Sequence, residues 1–111
     1  MSDQRLFVDS SAWITYVRPG CPETLMQLMR AKLTKNHVLS IPMILLELLA
    51  GTKSDADYAS LRDDLTVLPL LPMDEAMWET AYRLSFALKR QGLTVPTVDV
   101  TIAAAAIRHD V

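Results

Sequence analysis

The chain carries one cysteine and three glycines, has few aromatic residues, and contains no apolar stretch long enough to cross a membrane. Cys21 alone can close no internal disulfide, so covalent cross-links cannot substitute for a buried core. The most apolar run, Val38 to Ala50, is shorter than the ~20 residues of a spanning helix, and Pro42 and Glu47 interrupt it. Asp3 and Arg5 stand close to Met1, where a secretory signal would place a long apolar segment. A cytoplasmic location is the expectation that follows.

The glycines form neither a G-x-x-x-x-G-K-[ST] nor a G-x-G-x-x-G loop, so nothing in the sequence supports a nucleotide cofactor. Ser10 and Ser11 lie in no G-x-S-x-G elbow and beside no histidine, which argues against a serine triad. Cys21, His37 and His109 lack the spacing of zinc ligands. The net charge is −2, and basic residues are scattered from Arg5 to Arg108, so composition does not announce a nucleic-acid binder. The densest basic group, Arg30, Lys32, Lys35 and His37, fits RNA contact but equally suits the negative pole of a helix end.

Half of the 111 residues are hydrophobic, enough for one core and one domain over residues 1–111. Leu6, Phe7 and Val8 make a short apolar run ending at Asp9, and Ser10 to Ala12 can then open a helix carrying Trp13, Ile14 and Val17. Arg18-Pro19-Gly20 stops it. Pro22 to Asn36 places Leu25, Leu28, Met29 and Leu33 at helical spacing, and Val38 to Ile41 is the next strand. Pro42 suits the first turn of a helix and Gly51 its end.

Ser54 with Asp57 resembles a capping box at the head of a polar helix, and Val67 to Leu71 predicts an edge strand around Pro69. Asp74 caps a helix striped by Met77, Ala81, Leu84 and Leu88, which Lys89, Arg90 and Gly92 bring to a stop. Trp78, Tyr82 and Phe86 recur at helical steps and are expected in the core rather than as a base-stacking platform. A last helix, Val98 to about His109, holds four consecutive alanines that permit close approach of another backbone. Strands alternating with helices imply a parallel sheet covered on both faces, with sites beyond the carboxyl ends of the strands.

Three acids stand out against this frame. Asp9 at the end of the first strand can cap the following helix, a role worth ~1 kcal/mol. Asp99, in the first turn of the alanine-rich helix, suits the positive pole of the helix dipole, and Thr97 could cap the same turn. Glu47 sits among Ile44, Leu45, Leu46, Leu48 and Leu49, where a buried carboxylate needs a proton, an arginine or a metal. Acids gathered at one sheet edge repel one another unless a cation joins them. Hard oxygen donors without a Cys or His cluster select Mg²⁺ or Mn²⁺.

At these residues the chain resembles the PIN-domain ribonucleases of the VapC toxin type. Leu6-Phe7-Val8-Asp9-Ser10-Ser11-Ala12-Trp13-Ile14 is similar to the opening of that family, Leu45-Leu46-Glu47-Leu48-Leu49-Ala50-Gly51 to the helix bearing its second acid, and Val98-Asp99-Val100-Thr101-Ile102-Ala103-Ala104-Ala105 to the helix bearing its third. The resemblance implies a three-layer α/β/α fold with a short parallel sheet. It also implies a Mg²⁺- or Mn²⁺-dependent endoribonuclease, the toxin of a toxin–antitoxin pair, acting on structured RNA such as tRNA. Asp9, Glu47 and Asp99 are then the catalytic metal ligands, and Ser10 either helps hold the site together or caps a helix.

Family members continue into another strand and a fourth acid, and Asp110 comes too early to be that residue, so the chain is expected to lack the C-terminal strand segment. A cognate antitoxin is implied as partner, with Met26, Met29, Leu33 and the Met43 to Leu49 helix as candidate apolar surface, and a homodimer through such helices is the further expectation. Two rivals remain. One is a catalytically impaired PIN-like domain serving as an interaction module. The other is a phospho-acceptor receiver domain, which needs an acidic pair after the first strand and a late lysine, neither of which this sequence has.

Overall fold

A computed structural model describes residues 4–111. Two strands, β1 (Leu6–Phe7) and β2 (Val38–Leu39), pair in parallel with Leu6 opposite Val38 and Phe7 opposite Leu39. Six helices surround them among the described residues: α1 (Ser10–Val17), α2 (Glu23–Thr34), α3 (Pro42–Ala50), α4 (Asp55–Leu65), α5 (Glu75–Arg90) and α6 (Thr97–His109). The expected alternation of strand and helix is present, but helix dominates and the sheet is only two residues deep. None of the described helices is long and apolar enough to cross a membrane.

The expected third strand, Val67 to Leu71, is reduced to a single parallel bridge between Ser40 and Leu70. Ser40 N donates to Pro69 O at 3.0 Å and Leu71 N to Ser40 O at 2.9 Å. Pro69 has no N–H with which to extend this ladder, and Val67 points into solvent. The segment therefore closes the sheet edge without forming a strand.

Helix boundaries follow local chemistry. Asp9, Ser54 and Asp74 each accept the backbone N–H three residues on, from Ala12, Asp57 and Met77, at 2.9 to 3.0 Å. Pro42 opens α3, where a missing N–H costs nothing, and Gly51 caps its end. Thr97 does not cap α6, because it is already the first helical residue and Pro96 occupies the cap without a side-chain bond. After α5, Gly92 takes φ +82°, a left-handed turn that most side chains resist.

The main core joins Val8 and Trp13 to Met29, Val38, Ile41, Ile44, Leu48, Leu65, Leu68, Met77 and Ala105. A smaller cluster of Ala81, Val100 and Ala104, with Trp78 and Leu84 against it, knits α5 to α6. The alanines do what their size allows, for Ala104 and Ala105 are completely buried. Several apolar positions depart from expectation. Ile14, Val17 and Leu28 are exposed, and so are Tyr82 and Phe86, whereas Trp78 is half-buried. α5 turns its Met77–Ala81 side into the core and leaves Tyr82 and Phe86 outward.

Lys32, assigned to the basic group from sequence, is buried and donates from Nζ to the carbonyl of Gln4 at 2.8 Å. It tethers α2 to the chain entering β1 rather than presenting charge to solvent. Snorkelling of its apolar stem along the core explains how a lysine sits there.

Candidate metal and phosphate site

β1 delivers Asp9 to the carboxyl end of the sheet, where chain direction changes from strand to helix. Its Oδ1 accepts from Ala12 N and from Ser11 Oγ, each at 3.0 Å. Among the described residues neither bond uses Oδ2, so the capping role leaves a second oxygen for a ligand. The cap and the ligand readings are thus compatible in one side chain.

Asp99 reaches the same place from the far end of the sequence. α6 packs against β1, and Asp9 and Asp99 line one open cavity of about 480 Å³ together with Gln4, Arg5, Ile102 and Val111. Its position in the first turn of α6 sets it at the positive pole of that helix. Arg5, which sequence reading passed over, adds a cation to the rim. The available signal was its position four residues before Asp9, directly ahead of the strand that leads into the site.

Glu47 is placed differently from expectation. It is exposed, because α3 turns Ile44 and Leu48 into the core and Glu47 and Leu46 outward. Apolar neighbours in sequence did not mean apolar surroundings, since on a helix the residues one and two positions away point elsewhere. Glu47 lines a second, smaller cavity of about 220 Å³ with Trp13, Ile14, Val17, Arg18 and Leu61. Ser10 ties it to the first cavity: Ser10 Oγ donates to Glu47 Oε1 at 2.6 Å, from the residue next to Asp9. Ser10 therefore bridges β1–α1 to α3 and does not cap α1, a role that Asp9 fills.

The structure thus brings Asp9 and Asp99 to one cavity and couples Glu47 to its margin. Among the described residues no group of three His, Cys, Asp or Glu side chains is close enough to hold a metal ion as a set. The donor chemistry nevertheless fits a small hard cation. Mg²⁺ commonly takes one or two carboxylates and keeps its remaining positions for waters and phosphate oxygens. Two aspartates, a free Asp9 oxygen and an open cavity meet that requirement.

The second cavity has a separate peculiarity. Trp13 is buried, and its Nε1 has no hydrogen-bond partner among the described residues. An unsatisfied buried N–H costs about 1–3 kcal/mol, a penalty that Trp13 carries within the core.

Comparisons with known proteins agree with this architecture. A sequence model of the PIN domain matches residues 6–111. Among solved structures, VapBC2 from Rickettsia felis bound to a promoter DNA fragment superposes with a TM-score of 0.79 at 19% identity, covering 96% of this chain and 83% of that one. FitAcB from Neisseria gonorrhoeae gives 0.78 at 19% identity with the same coverage, and a DNA-bound FitAB structure gives 0.76 at 18%, covering 94% and 79%. No curated protein sequence matches. At such identities the structures speak to the fold, and they bear out the α/β/α arrangement around a short parallel sheet.

Proposed function

This chain belongs to the PIN-domain family, and from that premise we propose that it is a Mg²⁺- or Mn²⁺-dependent endoribonuclease, the toxin of a toxin–antitoxin pair. One observation carries the reading: Asp9 and Asp99, ninety positions apart in sequence, line a single cavity, while Ser10 holds Glu47 beside it. Asp9 and Asp99 would hold the ion directly, with Glu47 joining them through water. A divalent ion there supplies positive charge to the scissile phosphate and lowers the pKa of a bound water for in-line attack.

The chain's own groups do the rest. Asp9 is fixed by its two Oδ1 bonds, so its other oxygen is presented in one orientation. Ser10 restrains Glu47 in the same way from the α3 side. Arg5 on the cavity rim meets a backbone phosphate, a contact that positions RNA without reading bases. Structured RNA such as tRNA remains the proposed substrate.

The partner we infer is a cognate antitoxin, and the likeness in fold to VapBC2 and FitAB, each solved bound to a DNA fragment, supports that reading. The cavity around Trp13, Ile14 and Val17 suits an antitoxin segment, because apolar side chains of a partner could cover the exposed Ile14 and Val17. The candidate surface read from sequence at Met29 is buried and drops out.

A second reading, a PIN-like interaction module without catalysis, is favoured by the spread of the three carboxylates over two cavities. Incubation of the purified chain with tRNA decides between them. Cleavage with Mg²⁺ or Mn²⁺ that stops on chelation supports the nuclease. Intact RNA with both metals, from protein that still binds the product of an adjacent small gene, supports the module.

A further inference from the structure

Where α5 ends, the chain folds back and encloses a small cavity that belongs neither to the acidic pair nor to Glu47. Gly92 N donates to Lys89 O at 2.9 Å and Leu93 N to Leu88 O at 3.0 Å, with Gly92 at φ +82°. This turn sets Thr94 and Val95 against Ser85 and Lys89, which lie four residues apart on one side of the helix. The enclosed volume is about 160 Å³. At ~30 Å³ for each water, that is room for a hydrated or phosphate-sized group.

The polar groups around it are unspent. Among the described residues the side chains of Ser85, Lys89 and Thr94 have no hydrogen-bond or ion-pair partner, and no acid lines the cavity. Two hydroxyls and an ammonium are donors suited to phosphate oxygens. The last carbonyls of α5 would oppose an anion, but those of Leu88 and Lys89 already accept from the turn.

An aromatic row leads to this cavity. Tyr82 and Phe86 are 62% and 64% exposed, and Trp78 stacks on Tyr82 with ring centroids 6.2 Å apart. The Arg90 guanidinium lies 5.6 Å from the centre of the Phe86 ring, so the stacking surface carries a cation at its end. Glu79 is offset by Arg83 at 3.4 Å, which leaves Lys89 and Arg90 to set the charge of the last two turns. We propose that this end of α5 holds a single-stranded stretch of RNA, with one backbone phosphate in the Ser85–Lys89–Thr94 cavity and bases against Phe86 and Tyr82. Aromatic rings beside a basic groove serve that ligand without reading its sequence. The proposal rests on RNA being the substrate, as argued above, and adds where a strand is gripped outside the acidic cavity. The two places are neighbours: Asp99 lines the acidic cavity, and Val100, the next residue of α6, lines this one.

Binding of a short fluorescent single-stranded RNA to the purified chain, with divalent metal chelated, tests the surface apart from cleavage. Lys89→Ala should weaken binding by about three- to tenfold and lower its salt dependence by about one phosphate contact, while Lys89→Arg keeps both. Phe86→Ala should weaken it by at least about fivefold. Both positions are exposed, so circular dichroism should not change. In a cleavage assay with Mg²⁺, Lys89→Ala should raise KM far more than it lowers kcat. Cleavage by the parent, with affinity and KM indifferent to Lys89→Ala and Phe86→Ala, overturns the proposal and leaves the nuclease reading standing. RNA that is bound through Lys89 but never cut upholds the surface and removes the nuclease. Absence of any RNA binding overturns both. Inorganic phosphate that displaces the RNA far better than chloride at equal ionic strength assigns the cavity to free phosphate and overturns the proposal as well.

Discussion

At Asp9 one carboxylate oxygen, Oδ1, accepts from Ser11 Oγ and Ala12 N, which leaves the other oxygen to be tested as a ligand by substitutions that differ in what they keep. Asp9→Asn retains an oxygen for the cap and loses the charge. It should abolish most RNA cleavage while shifting thermal stability little. Asp9→Ala should lose the same activity and about 1 kcal/mol of stability as well. Equal stability in the two variants would mean that the cap contributes nothing. Ser10→Ala frees Glu47 Oε1 from its only tether among the described residues, and Glu47→Gln removes the charge at constant size. Because Glu47 is exposed, both should lower the cleavage rate without lowering the unfolding temperature. Urea titration beside a cleavage assay separates the two effects. Lys32 offers the contrast of a charge buried beside the core. Lys32→Met removes its bond to Gln4 O and should cost about 1–3 kcal/mol.

Among the elements, the helices were readable wherever a cap or a stop residue marked them. Asp74 and Ser54 accept the bonds their positions predict, and α3 runs from Pro42 to the residue before Gly51. These signals are local, so they survive without tertiary information. What sequence could not supply was the direction each face points. Trp78, Tyr82 and Phe86 have the spacing of a core stripe, but Met77, Ala81 and Leu84 on the same helix have it too, and a helix can bury only one side. The smaller Met77–Ala81 face won because α6 opposes it with Ala104, a residue that admits close backbone approach. Ala104→Leu should therefore overfill the α5–α6 contact and destabilise the chain by about 1–3 kcal/mol, measurable by chemical denaturation. The same limit misplaced Glu47. Its neighbours in sequence are apolar, yet its position on α3 lies away from Ile44 and Leu48, and no local rule reveals which side of a nearly uniform apolar helix is turned outward. Asp9 and Asp99, by contrast, were readable as a pair, since the end of a strand and the first turn of a helix are positions where carboxylates are both tolerated and accessible.

For the whole molecule the question is how a chain of net charge −2 with an acidic cavity could attract a polyanion. The basic residues answer it only in part. Lys32 is buried, Arg83 pairs with Glu79 at 3.4 Å, and Arg5 is the cation that lines the cavity of Asp9 and Asp99. Without a cation the two carboxylates repel phosphate, so metal and RNA should bind with positive coupling: each raises the affinity of the other by the same factor. This can be measured apart from catalysis in Glu47→Gln protein, in which cutting should be slow enough to leave RNA intact. At constant ionic strength, Mg²⁺ should raise affinity for a fluorescent tRNA by about tenfold or more, equivalent to roughly 1.4 kcal/mol of coupling. Adding Asp99→Asn should erase most of that gain, because it removes one of the two carboxylates that line the cavity while sparing the fold. Arg5→Ala should weaken binding with and without metal alike and reduce its dependence on salt, as loss of one phosphate contact does. If Mg²⁺ leaves RNA affinity unchanged in the parent background, or if Asp99→Asn retains the full gain, then Asp9 and Asp99 do not hold the ion that RNA sees. The acidic cavity would then be a feature of helix capping, and the chain would act through its protein partners.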